Sequence, residues 1–246
     1  MIDLPRAGEV RALLLDADGN LFPSEEPAFV ASADVTNRLL ASLGVSRAYT
    51  AEELRLTTTG KNFRTTAADL AAGHGRVLTP EVLADWVAEE KKVVSDYLGQ
   101  VLRPDPAVLE PLHRLAGRYR LAVVSSSALS RLDECFRATG LAGLLPAGRR
   151  YSAEDSLPRP TSKPDPAIYL YAVRQLGVAP AQAVAVEDSW PGARSAVAAG
   201  IPTVGNLVFV PPAERVARRA ALEDAGVALV IESWQELEAA LPVSVE

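Results

Sequence analysis

Length, composition and charge restrict what this chain can be. It has 246 residues, of which 48% are hydrophobic and 23% charged, and its net charge is −6 at pH 7; such a chain suits one α/β domain or a core with a smaller inserted domain. The negative charge argues against a nucleic-acid partner, and the lack of a signal-peptide pattern or a long apolar run argues against a membrane partner, so we expect a cytoplasmic protein.

Four apolar runs predict strands that are buried on both faces of a parallel sheet. Helical patterns separate the later runs: one opens at Asp165 and closes at Gly177, and the next opens at Pro191 and closes at Gly200. Alternating strands and helices predict an α/β fold with right-handed crossovers. The runs are residues 10–15, 121–124, 184–186 and 227–231.

The first two predicted strands are about a hundred residues apart, which is far longer than an ordinary loop. The intervening segment has helical patterns, including a helix start at Thr79-Pro80, and a proline-rich break follows at Arg103. We therefore expect an all-helical domain, residues 23–102, inserted into a core made of residues 1–22 and 103–246.

The first predicted strand ends in the sequence DADGN, which places Asp16 and Asp18 on the loop at its carboxyl end. Ligands bind at this end of the strands in open parallel sheets. A spacing of two in extended chain puts both side chains on one side, and Gly19 allows a sharp turn. Taken alone, the motif fits equally well with a surface Asx turn that closes the strand.

A second acidic pair, Glu187 and Asp188, ends the strand at residues 184–186. Two strand ends of one sheet can bring all four carboxylates together, and so many like charges require a cation among them. Carboxylates, water and substrate phosphate are the ligands that Mg²⁺ prefers, so we expect Mg²⁺ as the cofactor.

Two further segments suggest a phosphate site. The strand at residues 121–124 ends in three serines, and we take Ser125 and Ser126 as candidates to bind phosphate oxygens beside a helix N-terminus. Lys163 lies between serine and proline in SKPDP, and we assign it to neutralise the nucleophile and the phosphate. A lone lysine is more often a solvated loop charge, so this assignment depends on the neighbouring motifs.

In this order the motifs resemble those of the haloacid dehalogenase superfamily, in its β-phosphoglucomutase-like and phosphoglycolate-phosphatase-like branch. The resemblance covers nearly the whole chain and includes DADGNL, the strand-end serine, SKP and EDSWPGARSAVAAG. It implies a Rossmann-like parallel-sheet core with an inserted helical cap. It also implies that Asp16 is the nucleophile, Asp18 the general acid and base, Ser125 a phosphate ligand, Lys163 the charge neutraliser, and that Asp16, the Asp18 carbonyl and Asp188, with Glu187 beside it, hold the metal.

Two residues of the predicted cap are candidates to determine substrate specificity. The resemblance places Lys61 and Arg64 facing the catalytic loops, where they would bind hydroxyls or a second anionic group of a phosphosugar; the alternative is two solvated charges on a helix.

Asn20 stands where the family usually has threonine. Both side chains can form hydrogen bonds within the turn, so we expect a local adjustment without loss of activity.

The expected function is hydrolysis of small phosphate monoesters, with a phosphorylated metabolite as partner and a monomer or weak homodimer as the assembly. A phosphomutase shares the same core residues, but its family members carry a histidine at the position that aligns with Ala28, and alanine cannot form that hydrogen bond. A haloalkanoate dehalogenase uses the same nucleophile but needs no acid at the second position, so the presence of Asp18 argues against that function. The complete catalytic set argues against a non-enzymatic binding module.

Overall fold

The computed structural model describes residues 9–58 and 62–241. Its packing divides the chain into two compact units. One unit runs to Pro23 and resumes at Arg103, and the other is Ser24–Leu102.

A parallel sheet forms the centre of the first unit. The described residues contribute six strands in the order β3-β2-β1-β4-β5-β6, and every neighbouring pair is parallel. This arrangement, with helices in the connections, confirms the predicted α/β fold with a Rossmann-like core. The strands are β1 (Ala12–Leu15), β2 (Arg120–Ser125), β3 (Arg150–Ser152), β4 (Ala183–Glu187), β5 (Thr203–Asn206) and β6 (Leu229–Ile231).

The register of the three central strands brings the polar strand ends to one edge. Leu15 of β1 pairs with Val123 of β2 and with Val186 of β4. Every residue of β1 and β4 is buried, which explains why these strands read as uninterrupted apolar runs. Because parallel strands share a direction, the residues that end β1, β2 and β4 lie side by side at the carboxyl edge.

The sequence patterns missed β3 and β5. Both strands carry buried polar residues, so neither forms an apolar run. Arg150 is buried because its Nε donates to the carbonyl of Leu145 (2.8 Å) and its Nη1 donates to Asp133 (2.6 Å). Asn206, at the end of β5, is fully buried and hydrogen-bonded to another asparagine. Buried polar groups of this kind need partners that are distant in the sequence, and local patterns do not reveal them.

Helices flank the sheet, and their ends follow the predicted signals within two residues. The helix that closes at Gly177 ends there in the left-handed conformation (φ 62°). The helix predicted to open at Pro191 begins one residue earlier, capped by the hydroxyl of Ser189. The helices of this unit are α5 (Pro106–Ala116), α6 (Leu129–Ala138), α7 (Ala167–Leu176), α8 (Trp190–Ala198), α9 (Arg215–Ala225) and α10 (Trp234–Ala240).

All secondary-structure elements in the described residues of the second unit are helices. Its longest helix begins after Thr79, whose hydroxyl accepts a hydrogen bond from the Val82 amide, as the Thr79-Pro80 pair predicts. No helix in the described ranges has the length and apolarity that a membrane span requires. The helices are α1 (Glu25–Ser42), α2 (Ala51–Thr58), α3 (Phe63–Gly73) and α4 (Pro80–Val101).

Candidate active site

Three carboxylates meet at the carboxyl edge of the sheet. One oxygen each of Asp16, Glu187 and Asp188 lies within 4.8 Å of the others, and all three residues are buried. Asp16 directly follows β1, and its amide continues the pairing with β4 by donating to the Val186 carbonyl (3.0 Å). The arrangement follows from the strand register, and it supplies the oxygen ligands that a hard divalent cation requires.

Lys163 is the buried cation of this cluster, with a side chain only 6% exposed. Its Nζ donates to Asp16 Oδ1 (2.5 Å), to Glu187 Oε1 (2.6 Å) and to the Val124 carbonyl of β2 (2.7 Å). Burial opposes the charged ammonium, but the two carboxylates outweigh it and raise the pKa of Lys163 above its ordinary value. Lys163 is therefore held charged between the ends of three strands.

Glu187 is the most enclosed acid of the cluster. Its Oε1 also accepts a hydrogen bond from the Tyr169 hydroxyl (2.5 Å), whereas its buried Oε2 has no hydrogen-bond partner among the described residues. Burial raises the pKa of Glu187 to about 7, with the charge of Asp16 adding to the effect and Lys163 opposing it. Burial likewise raises the pKa of Asp16. The environment thus leaves these acids short of positive charge.

Glycines permit the closest approaches around the cluster. A Cβ atom at Gly192, in the first turn of α8, would overlap Glu187 Oε2. At Gly19, where φ is 74°, a Cβ atom would overlap the Asp188 carboxylate. At Gly19, only glycine allows both the left-handed backbone conformation and the short distance to the Asp188 carboxylate.

Asp18 is not one of the three clustered acids, and its carboxylate is bound by other residues. Its Oδ1 accepts from Arg131 Nη2 (2.9 Å), and its Oδ2 accepts from the Ser127 hydroxyl (2.7 Å). The sequence predicted four carboxylates in one group; the described residues bring three together, because the fourth has a cation of its own.

The serine loop after β2 is tied to the site by its hydroxyls. Ser125 Oγ accepts from the amide of Ser127 (3.0 Å), and Ser126 Oγ accepts from the amide of Lys163 (3.1 Å). Of the two predicted phosphate ligands, Ser126 thus contacts the main chain of Lys163, whereas the Ser125 hydroxyl bonds within its own segment. Their role toward phosphate stays a prediction.

Asn20 is accommodated by a second buried asparagine. Asn20 Nδ2 donates to the main-chain carbonyl of Asp16 (2.8 Å), and its Oδ1 accepts from Asn206 Nδ2 at the end of β5 (2.8 Å). Both asparagines are fully buried. The departure from threonine is therefore compensated by a polar partner on β5, which holds the turn after the nucleophile.

Sequence reasoning missed several residues that contact the site. Ser127 belongs to the same serine run as its predicted neighbours, and Arg131 lies in the first turn of the helix that follows this run, so both stand close to a segment that the sequence had already singled out. Tyr169 and Arg218 give no such local signal. Arg218 Nη1 donates to the Asp188 carbonyl (2.9 Å) and lies 3.4 Å from its Oδ2, a contact between α9 and the loop after β4.

Of the two predicted cap residues, the structure describes one. Lys61 lies outside the described residues. Arg64 is exposed on α3 in the second unit. Their predicted contacts with substrate stay predictions.

Comparison with known proteins identifies the family. Residues 10–200 match the haloacid dehalogenase-like hydrolase model. The chain belongs to this family. The match spans all of the motifs that carried the resemblance, so the resemblance is confirmed, and the chain is a member of a family of hydrolases.

Relatives within the family are similar over nearly their full lengths. Protein CbbY of Cereibacter sphaeroides is 32% identical over 239 residues, covering 93% of this chain and 94% of that protein. A crystal structure of a CbbY mutant from Rhodobacter sphaeroides in complex with xylulose-(1,5)bisphosphate is 28% identical, with a TM-score of 0.69 and coverage of 95% and 100%. A family hydrolase from Deinococcus radiodurans R1, with bound phosphate and sodium, is 27% identical, with a TM-score of 0.66 and coverage of 96% and 99%.

The close approach at Gly192 makes a testable prediction. Gly192→Ala should lower the free energy of unfolding by about 1–3 kcal/mol, because Glu187 Oε1 is held by Lys163 and Tyr169 and the carboxylate cannot retreat from the added methyl group. Urea unfolding measures the change. The matched control is Gly148→Ala, where nothing lies within 4 Å of the added atom, and its effect should stay within about 0.5 kcal/mol. Equal stability of the two variants would contradict this packing of Glu187. Without the steric overlap, alanine at position 192 would favour the helix by up to about 1 kcal/mol.

Proposed function

We propose that this chain is a magnesium-dependent phosphatase of small phosphate monoesters that works through an aspartyl phosphate on Asp16. One observation carries the proposal: Asp16 lies at the carboxyl end of β1 with Lys163 Nζ 2.5 Å from its Oδ1, inside a group of three carboxylates. A carboxylate held beside a buried cation at this edge is suited to attack an anionic substrate, because the cation offsets the repulsion between them.

In the first half-reaction Asp16 attacks phosphorus in line, forming an O–P bond while the bond to the leaving alkoxide breaks. Asp18 donates a proton to that alkoxide. In the second half-reaction Asp18 takes a proton from water as the water attacks the aspartyl phosphate, which releases phosphate and restores Asp16. The two acids suit different roles because their partners differ: Asp16 is buried against Lys163, and Asp18 is partly exposed beside Arg131.

Charge balance supports a divalent cation in this site. Among the described residues, the three carboxylates form ion pairs with two cations, Lys163 and Arg218. A bound phosphate monoester would add a charge of about −1.5 to −2. The oxygen-rich donor set and the unpartnered Glu187 Oε2 fit Mg²⁺. Asp16, Asp188, Glu187 and the Asp18 carbonyl would hold it, and when bound it would offset charge on the phosphoryl oxygens.

The relatives support a small phosphorylated substrate. The structure of the CbbY mutant contains a sugar bisphosphate, and the hydrolase from Deinococcus radiodurans R1 contains phosphate. Ser125 and Ser126 are the proposed ligands of the transferred phosphoryl group. Lys61 and Arg64 are the proposed contacts for the remainder of the substrate, which includes hydroxyls and any second anionic group.

Replacing the nucleophile is the direct test of the proposal. Asp16→Asn should abolish turnover of p-nitrophenyl phosphate, since an amide cannot form the acyl phosphate, and the nearly isosteric change should preserve the fold. Rapid acid quenching followed by mass spectrometry should find phosphate on a peptide containing Asp16 only in the wild type. The control is Asp34→Asn on α1, where the side chain is 64% exposed. Full activity of the Asp16 variant would refute the mechanism.

Metal dependence is the second expectation. Removal of divalent cations with EDTA should abolish turnover, and Mg²⁺ should restore it, because Lys163 and Arg218 alone do not offset the three carboxylates together with a bound phosphate. Mg²⁺ should also raise the melting temperature of the wild type, as a ligand of the folded state does. The rise should be much smaller for Asp188→Asn. Unchanged activity after thorough metal removal would contradict the assignment.

A third measurement separates hydrolysis from isomerisation. Given β-glucose 1-phosphate and a trace of glucose 1,6-bisphosphate, the protein should release inorganic phosphate without accumulating glucose 6-phosphate. The reason is that Ala28 has no side-chain hydrogen bond with which to couple an arriving sugar hydroxyl to the chemistry. Glucose 6-phosphate appearing faster than inorganic phosphate would identify a phosphomutase.

A further inference from the structure

The Asp18 carboxylate is bound on both of its oxygens. Arg131 Nη2 donates to Oδ1 (2.9 Å), and Ser127 Oγ donates to Oδ2 (2.7 Å). The side chains of Arg131 and Asp18 are 27% and 26% exposed, so the pair is partly shielded from solvent. Charge-assisted hydrogen bonds in such a setting are stronger than those between neutral groups. Two donors from different directions restrain both side-chain torsions of Asp18.

Both donors come from the segment that follows β2. Ser127 lies in the loop, and Arg131 lies in the first turn of α6, four residues later. The start of α6 is anchored because the Leu129 amide donates to Asp155 Oδ2 (2.6 Å). Arg131 therefore reaches Asp18 from a helix that has a separate anchor at Asp155.

An aromatic contact ties the two sides of the ion pair together. Phe136, on the buried face of α6, packs edge-on against Phe22 with ring centroids 5.6 Å apart. The Phe22 carbonyl accepts from the Gly19 amide (3.0 Å), next to Asp18 in the chain. The Asp18 turn and α6 are thus held together by packing as well as by charge, so the separation of the guanidinium and the carboxylate is restrained from both ends.

From this geometry we infer that Arg131 is a positioning residue for the acid–base step, restraining the orientation of the Asp18 carboxylate. The inference rests on the proposed function. A guanidinium keeps its proton at any ordinary pH, so Arg131 does not itself exchange protons with substrate. Its contribution is orientation, and orientation matters because proton transfer needs donor and acceptor within about 2.6–3.2 Å.

The first experiment replaces the guanidinium and measures kcat and KM separately. Arg131→Met keeps an apolar stem and removes the hydrogen-bond donors. We expect kcat for an alkyl phosphate to fall about 10- to 100-fold, which is less than the full loss of an acid–base group. KM should change by less than about threefold. Arg131→Lys retains one charged donor and should recover part of the loss. The matched control is Arg137→Met on the same helix, whose exposed side chain pairs with Glu134, and it should leave kcat unchanged.

The second experiment asks whether Arg131 acts through Asp18. The second measurement uses p-nitrophenyl phosphate in both the wild-type and the Asp18→Asn background. Hydrolysis of the aspartyl phosphate still needs Asp18 as base, so Arg131→Met should lower kcat in the wild type. In the Asp18→Asn background it should cost less than about threefold more, since residues that act as a unit are not additive. Circular dichroism and urea unfolding check that each variant is folded.

The outcomes separate the inference from the proposed function. A loss from Arg131→Met that is equal in both backgrounds, or no loss at all, would overturn the positioning role while the phosphatase activity stood. A wild-type protein without phosphatase activity would overturn the proposed function and this inference with it. Non-additive losses together with partial recovery by lysine would support both.

Discussion

The site depends on one buried ammonium group. Lys163 donates to Asp16, to Glu187 and to a main-chain carbonyl of β2, so a single side chain links the ends of three neighbouring strands. An acid as enclosed as Glu187 would be costly without this partner, and burial raises the pKa of Glu187 even though Lys163 opposes the shift. The same contact holds the proposed nucleophile in place, which means that the stability of the sheet edge and the chemistry proposed for it rest on the same hydrogen bonds.

Around this contact the acids fall into two groups with separate cations. Asp16, Glu187 and Asp188 are clustered with Lys163 and Arg218, whereas Asp18 is held by Arg131 and Ser127. Like-charged carboxylates close together disfavour one another's ionisation, and pairing Asp18 elsewhere relieves that repulsion. The grouping matches the proposed division of labour, in which the first group would bind metal and attack phosphorus and Asp18 would transfer the proton.

Much of the fold was predictable because strands that are buried on both faces of a sheet appear in the sequence as continuous apolar runs. β1, β2 and β4 read as apolar runs, and glycine marked the end of α7 at Gly177. β3 and β5 were missed because Arg150 and Asn206 interrupt the apolar pattern, and both are stabilised by partners outside their own strands. Asn20 showed the same limit: its departure from the family pattern was visible, whereas its partner on β5 was not.

The sequence by itself determined which residues end the central strands, and hence that Asp16, Ser125 and Glu187 meet at one edge, because parallel strands in register present their carboxyl ends together. It also determined the family, since the motifs stand in a fixed order along the chain. Only the tertiary structure decided which cation each acid takes. Arg131 and Arg218 reach Asp18 and Asp188 from helices packed beside the sheet, and such pairings depend on helix packing and side-chain direction, which strand and helix periodicity do not encode.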